Sequence, residues 1–212
     1  MMWLDPETIT FPHPSTANPD GILALGGDLH PDRLLFAYSY GIFPWYNAGE
    51  PIVWWHPNPR FVLFTDQLKV SKSMRPYFNQ GKYRVTYDHD FPAVIANCSA
   101  AKRRGQYGTW ITDDMRDAYN ELHDLGFAHS VEVWTPEGDL VGGLYGILLG
   151  KIFFGESMFS RANNASKFGF ISLVRELRAQ GVELIDCQQK TPHLASLGGS
   201  SISRKRFLEL LE

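Results

Sequence analysis

The residues best suited to chemistry lie in two segments, Gly155-Glu156-Ser157-Met158-Phe159-Ser160-Arg161 and Leu184-Ile185-Asp186-Cys187-Gln188. Each belongs to a run rich in β-branched, aromatic and aliphatic residues, the runs starting after Gly150 and Gly181, and both read as strands. Alternation then puts Ile152, Phe154, Glu156 and Met158 on one face, and Val182, Leu184, Asp186 and Gln188 on one face of the other strand. A carboxylate in apolar company needs a partner. An internal arginine or a cap would make it structural. As a site, the two carboxylates offer negative charge to a cation, and Gln188 offers an amide carbonyl to an N–H donor.

The elements that must position these groups follow from periodicity. Strands are expected at His129–Trp134, Leu140–Leu149, Ile152–Phe159 and Val182–Gln188, with a helix at Asn164–Gln180 carrying Phe170, Leu173, Val174 and Leu177 at helical spacing, an Asn cap before it and Gly181 after. Upstream, helices are expected at Pro31–Tyr40, Lys72–Phe78, Phe91–Ala101 and Asp113–Leu125, and a strand at Tyr83–Tyr87. Residues 1–62, rich in Pro and Gly, are expected to be loop apart from their one helix and to form a small N-terminal lobe, with residues 63–212 as the main domain.

Composition narrows the class. The chain has 212 residues, enough to bury roughly 70% of its unfolded surface. Cys98 and Cys187 are the only cysteines, in no metal-ligand spacing, which points to a reducing compartment and to no metal. No apolar run approaches a membrane span and no basic-then-apolar leader is present, so a soluble cytoplasmic protein, expected as a monomer, is indicated. At a net charge of −3, nucleic-acid contact would need a local basic patch. Lys102-Arg103-Arg104 is the best candidate, with Lys69, Lys72 and Arg75 as a second. Aromatics at 14% leave room for a stacking surface.

The order β-β-β-α-β, a meander feeding a helix and then a parallel strand, resembles the core of the N-acetyltransferase-like (GNAT) fold, an α/β (α+β) architecture. Coenzyme A enzymes of that fold cradle pyrophosphate in a Gly-rich turn before the helix. Here that connection is Ser160-Arg161-Ala162-Asn163-Asn164-Ala165-Ser166-Lys167, without glycine. An acyl transferase whose donor is not coenzyme A is expected, with no cofactor.

Further motifs run the length of the chain: Pro19-Asp20-Gly21-Ile22-Leu23-Ala24-Leu25-Gly26-Gly27-Asp28-Leu29, Gly41-Ile42-Phe43-Pro44-Trp45-Tyr46, Trp54-Trp55-His56-Pro57-Asn58-Pro59-Arg60, Gly108-Thr109-Trp110-Ile111, and His193-Leu194-Ala195-Ser196-Leu197-Gly198. Together with the two strand segments and Asn164-Ala165-Ser166-Lys167, they make the chain resemble the bacterial leucyl/phenylalanyl-tRNA–protein transferases. The resemblance implies transfer of leucine or phenylalanine, with methionine as a further donor, from Leu-tRNA or Phe-tRNA to the N-terminal Arg or Lys of a protein. The product is an N-terminus read by ATP-dependent proteolysis.

The resemblance also assigns roles. Asp186 and Gln188 match the catalytic pair, and Glu156 an acidic residue of the same site, so that Glu156 and Asp186 would meet the acceptor's cation. Trp45 and Trp110 match positions that sandwich the terminal adenosine and line the aminoacyl pocket, and Leu144, Met158, Leu173 and Leu177 would form its apolar walls. Apart from the resemblance, the basic run Lys102, Arg103 and Arg104 is the local candidate for contact with tRNA phosphates. The chemistry suits these types, because an α-amine with a pKa of about 7.7–8.0 is partly neutral at pH 7 and its ester partner is already activated, so orientation matters more than a strong base. His56, Asn58 and Thr191 depart from the family pattern, and His56 is expected to be a hydrogen-bonded loop residue. Two rivals are a coenzyme A-dependent N-acetyltransferase, which coenzyme A binding would reveal, and a non-catalytic RNA-binding module, which leaves Glu156, Asp186 and Gln188 without a purpose.

Overall fold

The computed structural model describes residues 2–101 and 109–212. Lys102, Arg103 and Arg104 lie outside the described residues. In the first part of the chain, β1 (Met2–Leu4), β2 (Ile22–Gly26), β3 (Phe43–Pro44) and β4 (Val53–Trp55) form a four-stranded sheet in the order β1-β2-β4-β3. This corrects the expectation of loop: strands of two to five residues broken by Pro and Gly are too short to show alternation. The expected helix is α1 (Pro31–Ser39), with Pro at its start and Gly41 at φ 67° turning the chain away after it.

The remaining strands, β5 (Arg60–Phe64), β6 (Arg84–Tyr87), β7 (Ala128–Trp134), β8 (Leu140–Leu149), β9 (Ile152–Ser160), β10 (Leu184–Asp186) and β11 (Ser200–Ile202), make a seven-stranded sheet ordered β11-β5-β10-β9-β8-β7-β6. In this sheet, among the described residues, only β9 and β10 pair in parallel. The helices are α2 (Arg75–Asn79), α3 (Phe91–Ala100), α4 (Asp113–Asp124), α5 (Ala165–Ala179), α6 (Pro192–Ser196) and α7 (Arg204–Leu211). The meander β7-β8-β9 followed by α5 and β10 is the expected order. The expected division at residue 62 falls inside β5.

Two cores hold the sheet. On one face Phe91, Val94, Met115 and Tyr119 of α3 and α4 pack with Tyr145, Ile147 and Phe154, and Leu34, Tyr38 and Trp54 from the N-terminal part join the same cluster. On the other face Phe170, Ile171, Val174 and Leu177 of α5 pack with Val131, Val133, Leu144 and Phe153. Each fully buried side chain of this size contributes about 1.5–3 kcal/mol, so the N-terminal elements are bound to the sheet by shared burial. The expected Asn cap of α5 is corrected. Asn164 occupies the cap position at φ 62° with no capping side-chain bond, and its amide donates instead to the Tyr77 hydroxyl at 3.1 Å. Ser160 Oγ accepts the Ser166 N–H in its place, at 3.2 Å.

Candidate active site

The site begins where a strand pair ends. β10 pairs with β9 only from Leu184↔Ile152 to Asp186↔Phe154, while Cys187 N–H still donates to Phe61 O of β5 at 3.0 Å. Beyond Asp186 the chain stays with β5 and leaves β9. On the β9 side the register against β8 slips between Tyr145↔Ser157 and Gly146↔Gly155, so Glu156 is an extra, bulged residue. Gly146 is needed opposite it, because a Cβ there would collide with Phe154 O and the Phe153 ring. The bulge corrects the expected alternation. Ile152 and Phe154 face the α3/α4 core, whereas Met158 packs with the α5 core.

Gln188 is likewise not placed by strand alternation. Its φ is 59°, a left-handed conformation, and the strand has already ended at Asp186. The turn brings the side chain back, and Gln188 Nε2 donates to Glu156 Oε1 at 2.9 Å. That bond points the amide carbonyl away from the carboxylate. Glu156 Oε1 also accepts from the Tyr38 hydroxyl at 2.7 Å, Oε2 from Tyr119 at 3.4 Å, and the two tyrosine hydroxyls bond each other. Burial pushes the Glu156 carboxyl up to about 7, and the Asp186 charge adds to this. The Tyr38 hydrogen bond, the Arg60 charge and the Gln188 amide work against it. Burial beside Glu156 holds both tyrosines well above their usual range, so they remain donors.

Asp186 has the internal arginine that the sequence allowed as one partner. Arg60 Nε and Nη2 donate to its two oxygens at 2.8 and 2.6 Å, and both side chains are at 0% exposure. Asp186 Oδ1 also accepts the Gln188 N–H at 2.9 Å. Its carboxylate is therefore enclosed and fully engaged, and the expected direct contact with an acceptor cation is not what this geometry offers. Both carboxylates line the opening, Asp186 braced by Arg60 and Glu156 by Tyr38, Tyr119 and Gln188. Burial pushes the Cys187 thiol up, far from nucleophilic use. His56 is buried and pushed down to about 3 by burial and the charges of Arg60 and Arg204, while Arg204 donates to its Nδ1 and carbonyl. It is a neutral structural residue.

The parted strands open a cavity of about 450 Å³. Glu156, Asp186, Gln188, Thr191 and His193 lie in its wall, as do Trp45, Trp110, Leu144 and Met158, so six of the residues singled out for chemistry or donor binding besides Asp186 meet in one space. Leu173 and Leu177 do not. They are 4% exposed and packed in the α5 core, because α5 presents Phe170 to the cavity and carries the later turns behind it. Arg60, Tyr38 and Phe170 were missed as site residues. In the sequence Phe170 reads only as core, Arg60 stands only as the last residue of the Trp54–Arg60 motif, and nothing local to Tyr38 distinguishes it. Lys69, Lys72 and Arg75 are exposed.

Among the described residues no helix is long and apolar enough to cross a membrane. The family described as leucyl/phenylalanyl-tRNA protein transferase matches residues 62–212, and its N-terminal domain matches residues 27–58. A leucyl/phenylalanyl-tRNA–protein transferase of Pseudomonas fluorescens (strain Pf0-1) is 57% identical over 100% of this chain and 93% of its own. One of Christiangramia forsetii is 55% identical over 100% of both. Among solved structures, FemX is similar with a TM-score of 0.52 at 10% identity, covering 84% of this chain and 70% of its own, a likeness of fold.

Proposed function

The chain belongs to the leucyl/phenylalanyl-tRNA protein transferase family, and on that premise we propose that it transfers leucine or phenylalanine from aminoacyl-tRNA to the α-amine of an N-terminal Arg or Lys, in the cytoplasm. One observation carries the assignment of roles: Gln188, itself in a left-handed conformation and tethered to Glu156, lies in the wall of a cavity that Trp45, Trp110, Leu144, Met158 and Phe170 also line.

The donor occupies the apolar part. Trp45 and Trp110 take the terminal adenosine, since stacking is worth roughly 1–3 kcal/mol per base without regard to sequence. Leu144, Met158 and Phe170 enclose the aminoacyl side chain. At the polar end the acceptor arrives as an ammonium and must lose a proton before it can attack. Glu156, at about 7, has a proton affinity close to that of an α-amine and a negative charge to attract it. Gln188 Oε1 then accepts an N–H of the neutral amine and fixes its lone pair toward the ester carbonyl. The C–N bond forms, the ester C–O bond breaks, and one proton passes from nitrogen to the leaving ribose oxygen. Asp186 acts by holding Gln188 and not by touching the acceptor.

The test is transfer of labelled leucine from Leu-tRNA to a peptide beginning with Arg, run beside acetyl-CoA as donor. Leucyl transfer and no acetylation are expected. Acetylation, or folded protein that transfers no leucine, would overturn the proposal.

A further inference from the structure

We infer that Arg60 is a positioning residue for transfer: clamped between Phe43 and Phe207, it fixes Asp186 so that Asp186 can hold the turn that aims Gln188 into the cavity. The inference rests on the role proposed for Gln188. Arg60 opens β5 and is at 0% exposure. Its guanidinium carbon lies 4.8 Å from the Phe43 ring centroid and 4.6 Å from that of Phe207, which fixes the plane of the fork. In that plane two nitrogens meet the two Asp186 oxygens at 2.8 and 2.6 Å. A lysine could reach one oxygen but could not set the carboxylate's orientation.

Orientation matters because Asp186 Oδ1 has a second task. It accepts the Gln188 N–H at 2.9 Å across a turn whose φ of 59° is costly for a residue with a side chain. Rotate the carboxylate and that turn loses its brace. The pair is poorly explained by stability alone. Buried ion pairs often contribute little net stability, and here the third nitrogen, Nη1, is buried without a hydrogen bond. Phe207 lies on α7, and Gly41 makes room for it, since a Cβ at Gly41 would strike the Phe207 ring. Segments from both ends of the chain thus close on the residue that positions the catalytic turn.

The experiment compares Arg60→Lys, Arg60→Met and Phe207→Leu in the full chain with wild type. It measures kcat and KM for Leu-tRNA with an Arg-peptide, the pH profile, and affinity for a non-hydrolysable amide analogue of 3′-leucyl-adenosine, with thermal melts to establish folding. In Arg60→Lys, kcat should fall about 10–100-fold, as expected for a misplaced reacting geometry, with KM and analogue affinity close to wild type. Because Arg60 holds the Glu156 carboxyl down, Arg60→Met should also move the acid limb of kcat/KM to higher pH, while Arg60→Lys, which keeps the charge, should leave it in place. Phe207→Leu should lower kcat in the same manner but less. Wild-type kcat in Arg60→Lys, or analogue affinity falling as far as kcat, would overturn the inference. If Arg60→Lys fails to fold, an unchanged kcat in folded Phe207→Leu overturns it equally. Wild-type protein without leucyl transfer would sink the functional reading itself, a different outcome from active wild type with an indifferent Arg60.

Discussion

Glu156 and Glu132 lie on the same side of one sheet, two strands apart, and both are carboxylates among apolar neighbours. Glu132, in the middle of β7, is at 0% exposure and accepts from Ser130 Oγ at 2.5 Å, Thr86 Oγ1 at 2.6 Å, His89 N at 3.3 Å and Asp90 N at 3.4 Å. The strands on either side of it, β6 and β8, continue their pairing past it. Glu156 also accepts hydrogen bonds, yet it is bulged out of its ladder at the point where β10 leaves β9. Burial and satisfied oxygens are common to both. What distinguishes the site is that strand pairing stops beside the carboxylate, so that a cavity forms against it and a side chain from the departing strand can share it.

The largest effect that could break this comparison is on turnover. Gln188→Ala removes the acceptor from the cavity side, and kcat in single-turnover transfer should fall by about 10²–10³, the usual scale for one oriented hydrogen-bonding group. Its melting temperature should stay near wild type. Glu132→Ala should do the reverse, leaving turnover of the folded protein intact while costing about 3 kcal/mol in urea unfolding, because the donors around it lose their acceptor. Turnover lost in a stable Glu132→Ala, or kept in Gln188→Ala, would erase the distinction.

A smaller effect sharpens it. The folded-state pKa of Glu156 is raised from 4.5 to about 7. A carboxyl raised on folding gives its full stabilisation below the unfolded value, and that stabilisation is lost as pH rises through the folded value. Glu156→Gln carries no ionisable group, so relative to wild type it should gain nothing at pH 4 and up to roughly 3 kcal/mol at pH 8. Urea titrations of both proteins at the two pH values measure it. A constant difference across pH would mean that the carboxylate is not held against its charge. The same substitution should slow transfer, since it removes the group proposed to take the ammonium proton.

How much of this could be read from the chain depends on how local each cause is. The meander, α5 and the parallel strand were legible because long strands and a helix repeat their pattern many times. The motif resemblance brought Trp45, Trp110, Leu144, Met158, Glu156, Asp186 and Gln188 together, and all of them line one cavity. Carboxylates in apolar company were not enough to find the site, since Ser130-Val131-Glu132-Val133-Trp134 carries the same signal. The bulge at Glu156 and the left-handed turn at Gln188 were illegible, because both reverse the alternation from which faces are assigned. Arg60 was illegible for another reason: its partner Asp186 is 126 residues away, and only the antiparallel pairing of β5 with β10 makes them neighbours.

The smallest predicted effect concerns the apolar counterpart of the same comparison, wall against core. Leu144 is 2% exposed and lines the cavity, whereas Leu173, 4% exposed, packs behind Phe170 in the α5 core. Leu144→Phe should narrow the donor space. An apolar pocket discriminates by roughly 1–3 kcal/mol per methylene, so the ratio of leucine to phenylalanine transferred should rise by about tenfold or more. Leu173→Phe adds the same bulk where no ligand reaches, and it should cost about 1–3 kcal/mol of stability through overpacking while leaving the ratio as it is. Competition between Leu-tRNA and Phe-tRNA for one Arg-peptide, alongside urea titrations, reads both. An unaltered ratio in Leu144→Phe with an altered one in Leu173→Phe would move the donor wall from β8 into α5, and would mean that the helix shifts to admit its ligand.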